Sequence, residues 1–144
     1  MIYCNFAGFE LMKIRRQHIS SVTFCLYILA VGIMCFSRPE NIPYVTFDWF
    51  GLPADKVVHC LMFIPFPVLA YMSFVPERFS PLIKIACIVA AAIIGAGISY
   101  TTEVVQSALG YRSFEIKDLI ADLAGIGFSS AVLLVYIVLK TKQK

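Results

Sequence analysis

Residues 85–100 read IACIVAAAIIGAGISY, a run that contains no charged residue. Together with its neighbours it forms an apolar segment of about 20 residues, the length that an α-helix needs to cross the hydrocarbon core of a bilayer. Three further segments are long and apolar enough to do the same. The sequence therefore predicts an all-α membrane protein, a bundle of four transmembrane helices over residues 20–36, 57–75, 82–102 and 118–139.

The composition of the whole chain agrees with a membrane protein. Of its 144 residues, 60% are hydrophobic and 15% are charged, and the mean hydropathy is +0.82. Soluble domains usually carry about 25% charged residues, so the composition excludes a soluble globule and also a disordered chain. The formal net charge of +3 is too small for a nucleic-acid-binding surface. Membrane lipids are therefore predicted as partners, and nucleic acid is not.

The five cysteines predict neither a disulfide framework nor a zinc site. No two of them stand at C-x-x-C spacing, and they do not alternate with histidines. Inside an apolar segment a cysteine behaves as a small hydrophobic residue. We interpret all five as free thiols: Cys4, Cys25, Cys35, Cys60 and Cys87. No cofactor is predicted.

The distribution of basic residues orients the predicted helices. With both termini in the cytoplasm, eight of the twelve Lys and Arg residues fall on the inner side and four on the outer side, as the positive-inside rule requires. We therefore predict a multi-pass protein of the bacterial plasma (inner) membrane, with a cytoplasmic segment over residues 1–19 and the transmembrane domain over 20–144. Met12 is followed by KIRR and resembles a natural start, which leaves residues 1–11 open as an upstream extension.

Two prolines lie near the middle of the second predicted helix. Pro65 and Pro67 both lack a backbone N–H, and the ring of each clashes with the carbonyl group one turn earlier. A transmembrane helix tolerates this where neighbouring groups satisfy the freed carbonyls. The sequence therefore predicts a kink in the second helix.

Ionisable and amide side chains gather at the predicted outer ends of the helices. A charge at the centre of a bilayer costs roughly 2.5–3.5 kcal/mol, so such residues usually face the bundle interior or a watery cavity. Their spacing of three or four residues places each set on one helix face. Together they predict a polar pocket beneath the 103–118 loop. The alternative is that these side chains are simply solvated at the helix ends. The residues are Asp55, Lys56, His59, Glu103, Gln106, Arg112, Glu115, Asp118 and Asp122.

Small residues recur at every fourth position of the third and fourth predicted helices. They are Ala91, Gly95 and Ser99 in one helix and Ala121, Gly125 and Ser129 in the other. This spacing lets helix backbones approach closely in lipid. We therefore predict that the two helices form an antiparallel hairpin centred near Gly110. In this hairpin Glu103 lies level with Asp118, and Ser99 lies level with Asp122.

At these residues the sequence resembles the VanZ-like family of small multi-pass bacterial membrane proteins. The matching motifs are DKVVH at 55–59, EVVQ at 103–106 and RSFEIKDLIADLAG at 112–125. Asp122 departs from the family pattern, which commonly has asparagine there, and Glu115 stands where aspartate is frequent. The family's polar set falls, position by position, on Asp55, Lys56, His59, Glu103, Gln106, Arg112, Asp118 and Asp122.

The resemblance implies a role in glycopeptide resistance. The member that gives the family its name looks like a determinant of low-level teicoplanin resistance that leaves peptidoglycan precursors unaltered. The favoured hypothesis is therefore a binding protein of the cell envelope, whose outer pocket holds a lipid, a cell-wall precursor or a glycopeptide-like molecule. Lys56 and Arg112 would hold a phosphate or a carboxylate of that ligand, and Arg112 would also pair with the acidic residues.

An enzyme is the alternative hypothesis. It would act on a lipid-linked or polyprenyl phosphate substrate, with Glu103 or His59 as general base and Asp118 with Asp122 as a paired acid or a site for a divalent ion. The chain has no H-E-x-x-H or G-x-S-x-G motif, so no reaction class, catalytic residue or metal is assigned. Ion transport is less favoured because the acidic residues cluster at one end. The oligomeric state is left open.

Overall fold

The computed structural model describes residues 2–36, 48–49, 52–110 and 113–143, and the side chains over 15–36, 53–110 and 113–143. Four helical segments in the described chain are long and apolar enough to cross a membrane, which confirms the predicted fold class. These segments are Arg15–Phe36, Ala54–Phe74, Pro81–Ala108 and Ile116–Lys142. The cytoplasmic position of the two termini stays a prediction.

The four spans are built from five helices, because the second span consists of two. The helices are α1 (Ile2–Phe36), α2 (Ala54–Phe63), α3 (Pro65–Phe74), α4 (Pro81–Ala108) and α5 (Ile116–Lys142). The third and fourth spans extend beyond the ends predicted at residues 102 and 139. Hydropathy detects only the apolar part of a helix, whereas the backbone hydrogen bonds continue through the polar turns that follow.

Short structural signals fix where some of these elements begin. The hydroxyl of Ser80 accepts a hydrogen bond from the backbone N–H of Ile83 at 3.4 Å, and Pro81 occupies the first turn of α4. Directly before α2, the strands β1 (Asp48–Trp49) and β2 (Leu52–Pro53) pair in antiparallel orientation. No pattern in the sequence predicted this strand pair.

The helical assignment of the second span is interrupted at Ile64, next to the prolines, although Ile64 itself keeps helical backbone angles, and the kink stays a prediction. Helix α2 ends at Phe63, and Pro65 begins α3. A proline cannot donate to the carbonyl group one turn earlier, so carbonyl groups near the break need other donors. The carbonyl groups that lose their donors in this way are those of Leu61 and Phe63. The carbonyl oxygen of Met62, which lies between them, accepts a hydrogen bond from the hydroxyl of Tyr27 in α1 at 2.7 Å.

Helix α5 lies at the centre of the described bundle, where it packs against α2, α3 and α4, while α1 packs mainly against α3. The predicted packing of α4 against α5 is confirmed. Gly125, however, allows the close approach of α2 and not of α4 as predicted. A Cβ atom at this position would overlap the carbonyl oxygen of Cys60 in α2. Gly95 of α4 lies against Phe66 of α3, whose Cδ1 atom would be 2.9 Å from an added Cβ.

The bundle presents apolar side chains outward on every span. Examples with more than half of their surface exposed are Leu29, Leu61, Ile93 and Phe128. A water-soluble protein would hide most of these side chains in a core or an interface. Their exposure on all sides is what contact with lipid acyl chains requires.

An ion cluster lies at the end of the bundle where α3 ends and α4 begins. The ammonium group of Lys84 donates to the backbone carbonyl of Glu77 at 2.9 Å, and the ammonium group of Lys140 lies 3.3 Å from Oε2 of Glu77. Partial burial raises the pKa of the Glu77 carboxyl, but the charges of Lys140 and Lys84 lower this pKa more, so it lies below its ordinary value. These contacts tie the α3–α4 connection to the last turns of α5.

Candidate functional site

The opposite end of the bundle holds a group of polar side chains from α2, α4 and the start of α5. We call this group the polar cluster, and its members are Asp55, Lys56, His59, Ser99, Glu103, Glu115, Asp118 and Asp122. Spacings of three or four residues point the members of each helix to one side. His59, Glu103, Asp118 and Asp122 are buried, and none of the four exceeds 6% exposure.

Asp122 lies at the centre of the polar cluster. Its side chain is 1% exposed and contacts two other helices. Oδ1 lies 3.0 Å from Nδ1 of His59 in α2, and Oδ2 accepts a hydrogen bond from the hydroxyl of Ser99 in α4 at 2.6 Å. The predicted alignment of Ser99 with Asp122 is therefore confirmed. Because one carboxylate joins three helices, Asp122 connects the packing of the bundle to the chemistry of its polar end.

Lys56 lies at the exposed edge of the polar cluster. Its ammonium group donates to Asp55 at 3.0 Å, to Glu115 at 2.7 Å and to Asp118. The side chains of Asp55 and Glu115 are 36% and 49% exposed, whereas that of Lys56 is 14% exposed. Three carboxylates therefore share one ammonium group, so Lys56 is occupied by residues of the protein itself.

Asp118 connects this edge to the buried interior. One of its oxygens accepts from Lys56, and the other, Oδ2, lies 3.7 Å from Nε2 of His59. The imidazole of His59 therefore has a carboxylate beside each nitrogen, Asp122 at Nδ1 and Asp118 at Nε2. Such partners fix the orientation of a histidine ring.

Glu103 is buried, and the one hydrogen bond described for its carboxylate is long. Its side chain is 3% exposed, and Oε2 accepts one hydrogen bond from the backbone N–H of Glu115 at 3.5 Å. Donor groups in good hydrogen bonds to oxygen usually lie within about 3.2 Å. The carboxylate faces the interior, where one of its oxygens lies within 4.8 Å of ligand atoms of His59 and Asp122.

Two of the predicted site residues lie apart from the polar cluster or outside the described residues. The amide of Gln106 donates to the backbone carbonyl of Cys35 at 2.5 Å, so this side chain joins α4 to the end of α1. Arg112 lies outside the described residues, and so does its predicted pairing with the acidic side chains. Within the described residues, Lys56 and His59 are the basic side chains that pair with them.

Ser99 belongs to the polar cluster, although it was not among the site residues predicted from the sequence. Its hydroxyl is completely buried and contacts Asp122 directly. A signal for it was present, because Ser99 precedes Glu103 by four residues and therefore lies on the same face of α4. A hydroxyl in an apolar helix is ambiguous, since it can also bond to its own backbone, as Ser129 does to Gly125 at 3.0 Å.

The charges of the polar cluster are unequal. Its described members include five carboxyl groups, from Asp55, Glu103, Glu115, Asp118 and Asp122, against one lysine and one histidine. Two sets of three side chains bring potential metal ligands within 4.8 Å of one another: Asp55, His59 and Asp118, and His59, Glu103 and Asp122. Among the described residues, acidic side chains therefore outnumber basic ones at this site, and two sets of them have the composition to hold a cation.

The residues of the polar cluster fall within a match to a known protein family. A family model described as VanZ/LLP1 matches residues 11–139, which include the whole polar cluster. The chain belongs to the VanZ/LLP1 family. This VanZ-like chain is thus a multi-pass membrane protein with four spanning helices. No curated protein and no solved structure matches it in the other two comparisons.

Proposed function

We propose that this VanZ-like protein acts in the bacterial plasma membrane as a binding protein of the cell envelope. In this proposal the polar cluster holds the polar part of a lipid, a cell-wall intermediate or a glycopeptide-like molecule, and this binding contributes to glycopeptide (teicoplanin) resistance. The observation that carries the proposal is the burial of His59, Glu103, Asp118 and Asp122 together at one end of a membrane bundle. Ionisable groups at such positions are costly and usually serve a function.

The predicted orientation brings the polar cluster to the side where such ligands occur. We infer that the other end lies in the cytoplasm, because the positive-inside rule associates an excess of basic residues with that side. The polar cluster then faces the outer leaflet and the cell wall. Its exposed edge, formed by Asp55, Lys56 and Glu115, is the part that a ligand would meet first.

The charges favour a ligand that carries an amino group. Lys56 already donates to three carboxylates, which leaves it little capacity to hold a phosphate. An ammonium group on the ligand would instead share the carboxylates of Asp55 and Glu115 in charge-assisted hydrogen bonds. This supports a different contact from the one that the sequence predicted, in which Lys56 holds an anionic group.

A binding experiment with two probes tests this proposal. We expect purified protein in lipid nanodiscs to bind teicoplanin or lipid II, and the double variant Asp55→Asn, Glu115→Gln to bind the same probe at least about tenfold more weakly. Hydrogen bonds to charged groups contribute about 1.5–3 kcal/mol each, and about 1.4 kcal/mol corresponds to a factor of ten. Isothermal titration with each probe measures the effect.

The control for this experiment is Glu77→Gln, which removes a carboxylate at the opposite end of the bundle. It should leave the affinity for either probe unchanged. Equal affinity of the wild type and the double variant for both probes would contradict the proposal. A response to teicoplanin alone would identify a glycopeptide as the ligand, and a response to lipid II alone would identify a cell-wall intermediate.

One observation favours an enzyme as a second candidate function. The imidazole of His59 lies 3.0 Å from Asp122, and a histidine oriented by a carboxylate is a common general base. The substrate in this case is a lipid-linked or polyprenyl phosphate. The protein is incubated with a polyprenyl phosphate, and the mixture is separated by chromatography. We then expect a product that the wild type forms and the variant His59→Gln does not. Unchanged substrate would argue for binding without chemistry.

A further inference from the structure

Three buried side chains of the polar cluster have the composition of a metal site. Ligand atoms of His59, Glu103 and Asp122 lie within 4.8 Å of one another, and all three residues are buried. Ligand atoms around a tetrahedral zinc ion are roughly 3.3 Å apart, given metal–ligand distances near 2.0 Å. Side-chain movements of about 1 Å would therefore bring the three ligands to one ion.

The other possible set of ligands is less suitable. It combines His59 with Asp55 and Asp118, and both of these carboxylates accept hydrogen bonds from the ammonium group of Lys56. A second positive charge at that position would be repelled by Lys56. In the buried set, neither Glu103 nor Asp122 has a described contact with a lysine.

Glu103 provides an independent reason to expect a cation. Within the described part of the chain, the long hydrogen bond from the backbone N–H of Glu115 is the only one that this side chain makes. An ionised carboxylate has about four acceptor sites, and burying it without partners is costly. A cation between Glu103, His59 and Asp122 would satisfy this carboxylate directly.

We propose that His59, Glu103 and Asp122 bind one divalent transition-metal ion of the zinc class. The mixed set of one imidazole and two carboxylates is typical of Zn²⁺ and similar ions, whereas Mg²⁺ and Ca²⁺ prefer oxygen ligands. The two carboxylates balance the charge of a divalent ion. The hydroxyl of Ser99 donates to Asp122 and would hold that ligand in position, as partners of metal ligands commonly do.

The two carboxylate contacts of His59 indicate which ring nitrogen would bind the ion. Nδ1 faces Asp122, so this nitrogen would bind the metal and release any proton it carries to solvent. Nε2 would keep its hydrogen and point it toward Asp118, 3.7 Å away. Asp118 would thereby act as a positioning residue for the ligand and not as a ligand itself.

This inference goes beyond the proposed binding of an envelope molecule and is tested without one. Protein purified in detergent and stripped with a chelator is titrated with Zn²⁺, and the retained metal is counted by mass spectrometry. We expect one Zn²⁺ per chain, with an affinity that falls at least about tenfold in Glu103→Gln and in His59→Gln. Failure here leaves the binding of teicoplanin or lipid II untouched.

Matched variants separate the buried site from adventitious binding. His18, the chain's other histidine, is exposed and lies in α1, and Glu77 lies at the opposite end of the bundle. His18→Gln and Glu77→Gln should bind Zn²⁺ like the wild type. Equal binding by Glu103→Gln and the wild type would overturn the proposal, as would a wild-type protein that retains no Zn²⁺.

A spectroscopic measurement does not depend on the folding of the variants at the site. Cu²⁺ bound in place of Zn²⁺ should show electron paramagnetic resonance coupling to one imidazole nitrogen in the wild type and in His18→Gln. No nitrogen coupling in the wild type, or coupling that disappears in His18→Gln, would overturn the assignment of His59 as a ligand.

Discussion

Asp122→Ala is expected to destabilise the bundle by about 3–5 kcal/mol, the usual cost of removing one partner from a buried charged pair. The substitution leaves the imidazole of His59 and the hydroxyl of Ser99 without the acceptor that each contacts in the intact protein. It also opens a small cavity between three helices. The free energy of unfolding is measured by circular dichroism while a denaturing detergent is added in increasing fraction to protein in a mild detergent.

The matched variant for this experiment is Asp122→Asn. It preserves the volume of the side chain and one acceptor oxygen. We expect it to cost about 1 kcal/mol, the net value of one weakened hydrogen bond. If Asp122→Ala unfolds at the same fraction of denaturing detergent as the wild type, the contacts of Asp122 with the other helices do not stabilise the bundle.

Gly125→Ala is expected to lower the free energy of unfolding by about 2–3 kcal/mol, toward the upper end of the cost of overpacking. An added Cβ would overlap the carbonyl oxygen of Cys60, and a backbone atom cannot move aside as the end of a side chain can. Helices α2 and α5 would have to separate. Because α2 carries His59 and Lys56, the separation would also weaken the contacts of the polar cluster.

Gly127, two residues further along α5, offers the control. A Cβ atom added there meets nothing within 4 Å. Gly127→Ala should therefore be neutral or stabilise the protein by up to about 1 kcal/mol, since alanine favours a helix over glycine. Equal unfolding of the two variants under the same detergent titration would show that α2 and α5 are not closely packed at Gly125.

The sequence predicts the spans and the polar end well, because both depend on local patterns. An apolar run of sufficient length is enough to identify a membrane helix, and Pro65 interrupts the backbone hydrogen bonds of the second span regardless of what packs around it. Helical spacing also places Ser99 level with Asp122 once α4 and α5 are paired. These features follow from the backbone and need no knowledge of side-chain contacts.

Other features depend on contacts between distant parts of the chain and were not predictable. A repeat of small residues shows that Gly125 packs closely against a helix, but not that the helix is α2. A lysine at the end of a span most often extends into the headgroup layer, whereas Lys56 turns to three carboxylates, two of them about 60 residues away. Likewise, the hydrogen bond from Gln106 to Cys35 could be predicted only if the position of α1 were known.

The central position of α5 bears on how the chain is assembled during synthesis. This helix follows α1 to α4 in the chain, so it leaves the ribosome after them. Both described carboxylate contacts of His59 are with α5 residues, and until α5 arrives Lys56 can pair only with Asp55 among its described partners. An incomplete chain would therefore leave ionisable groups of α2 without their partners in α5, so the polar cluster is complete only after the last span has been inserted.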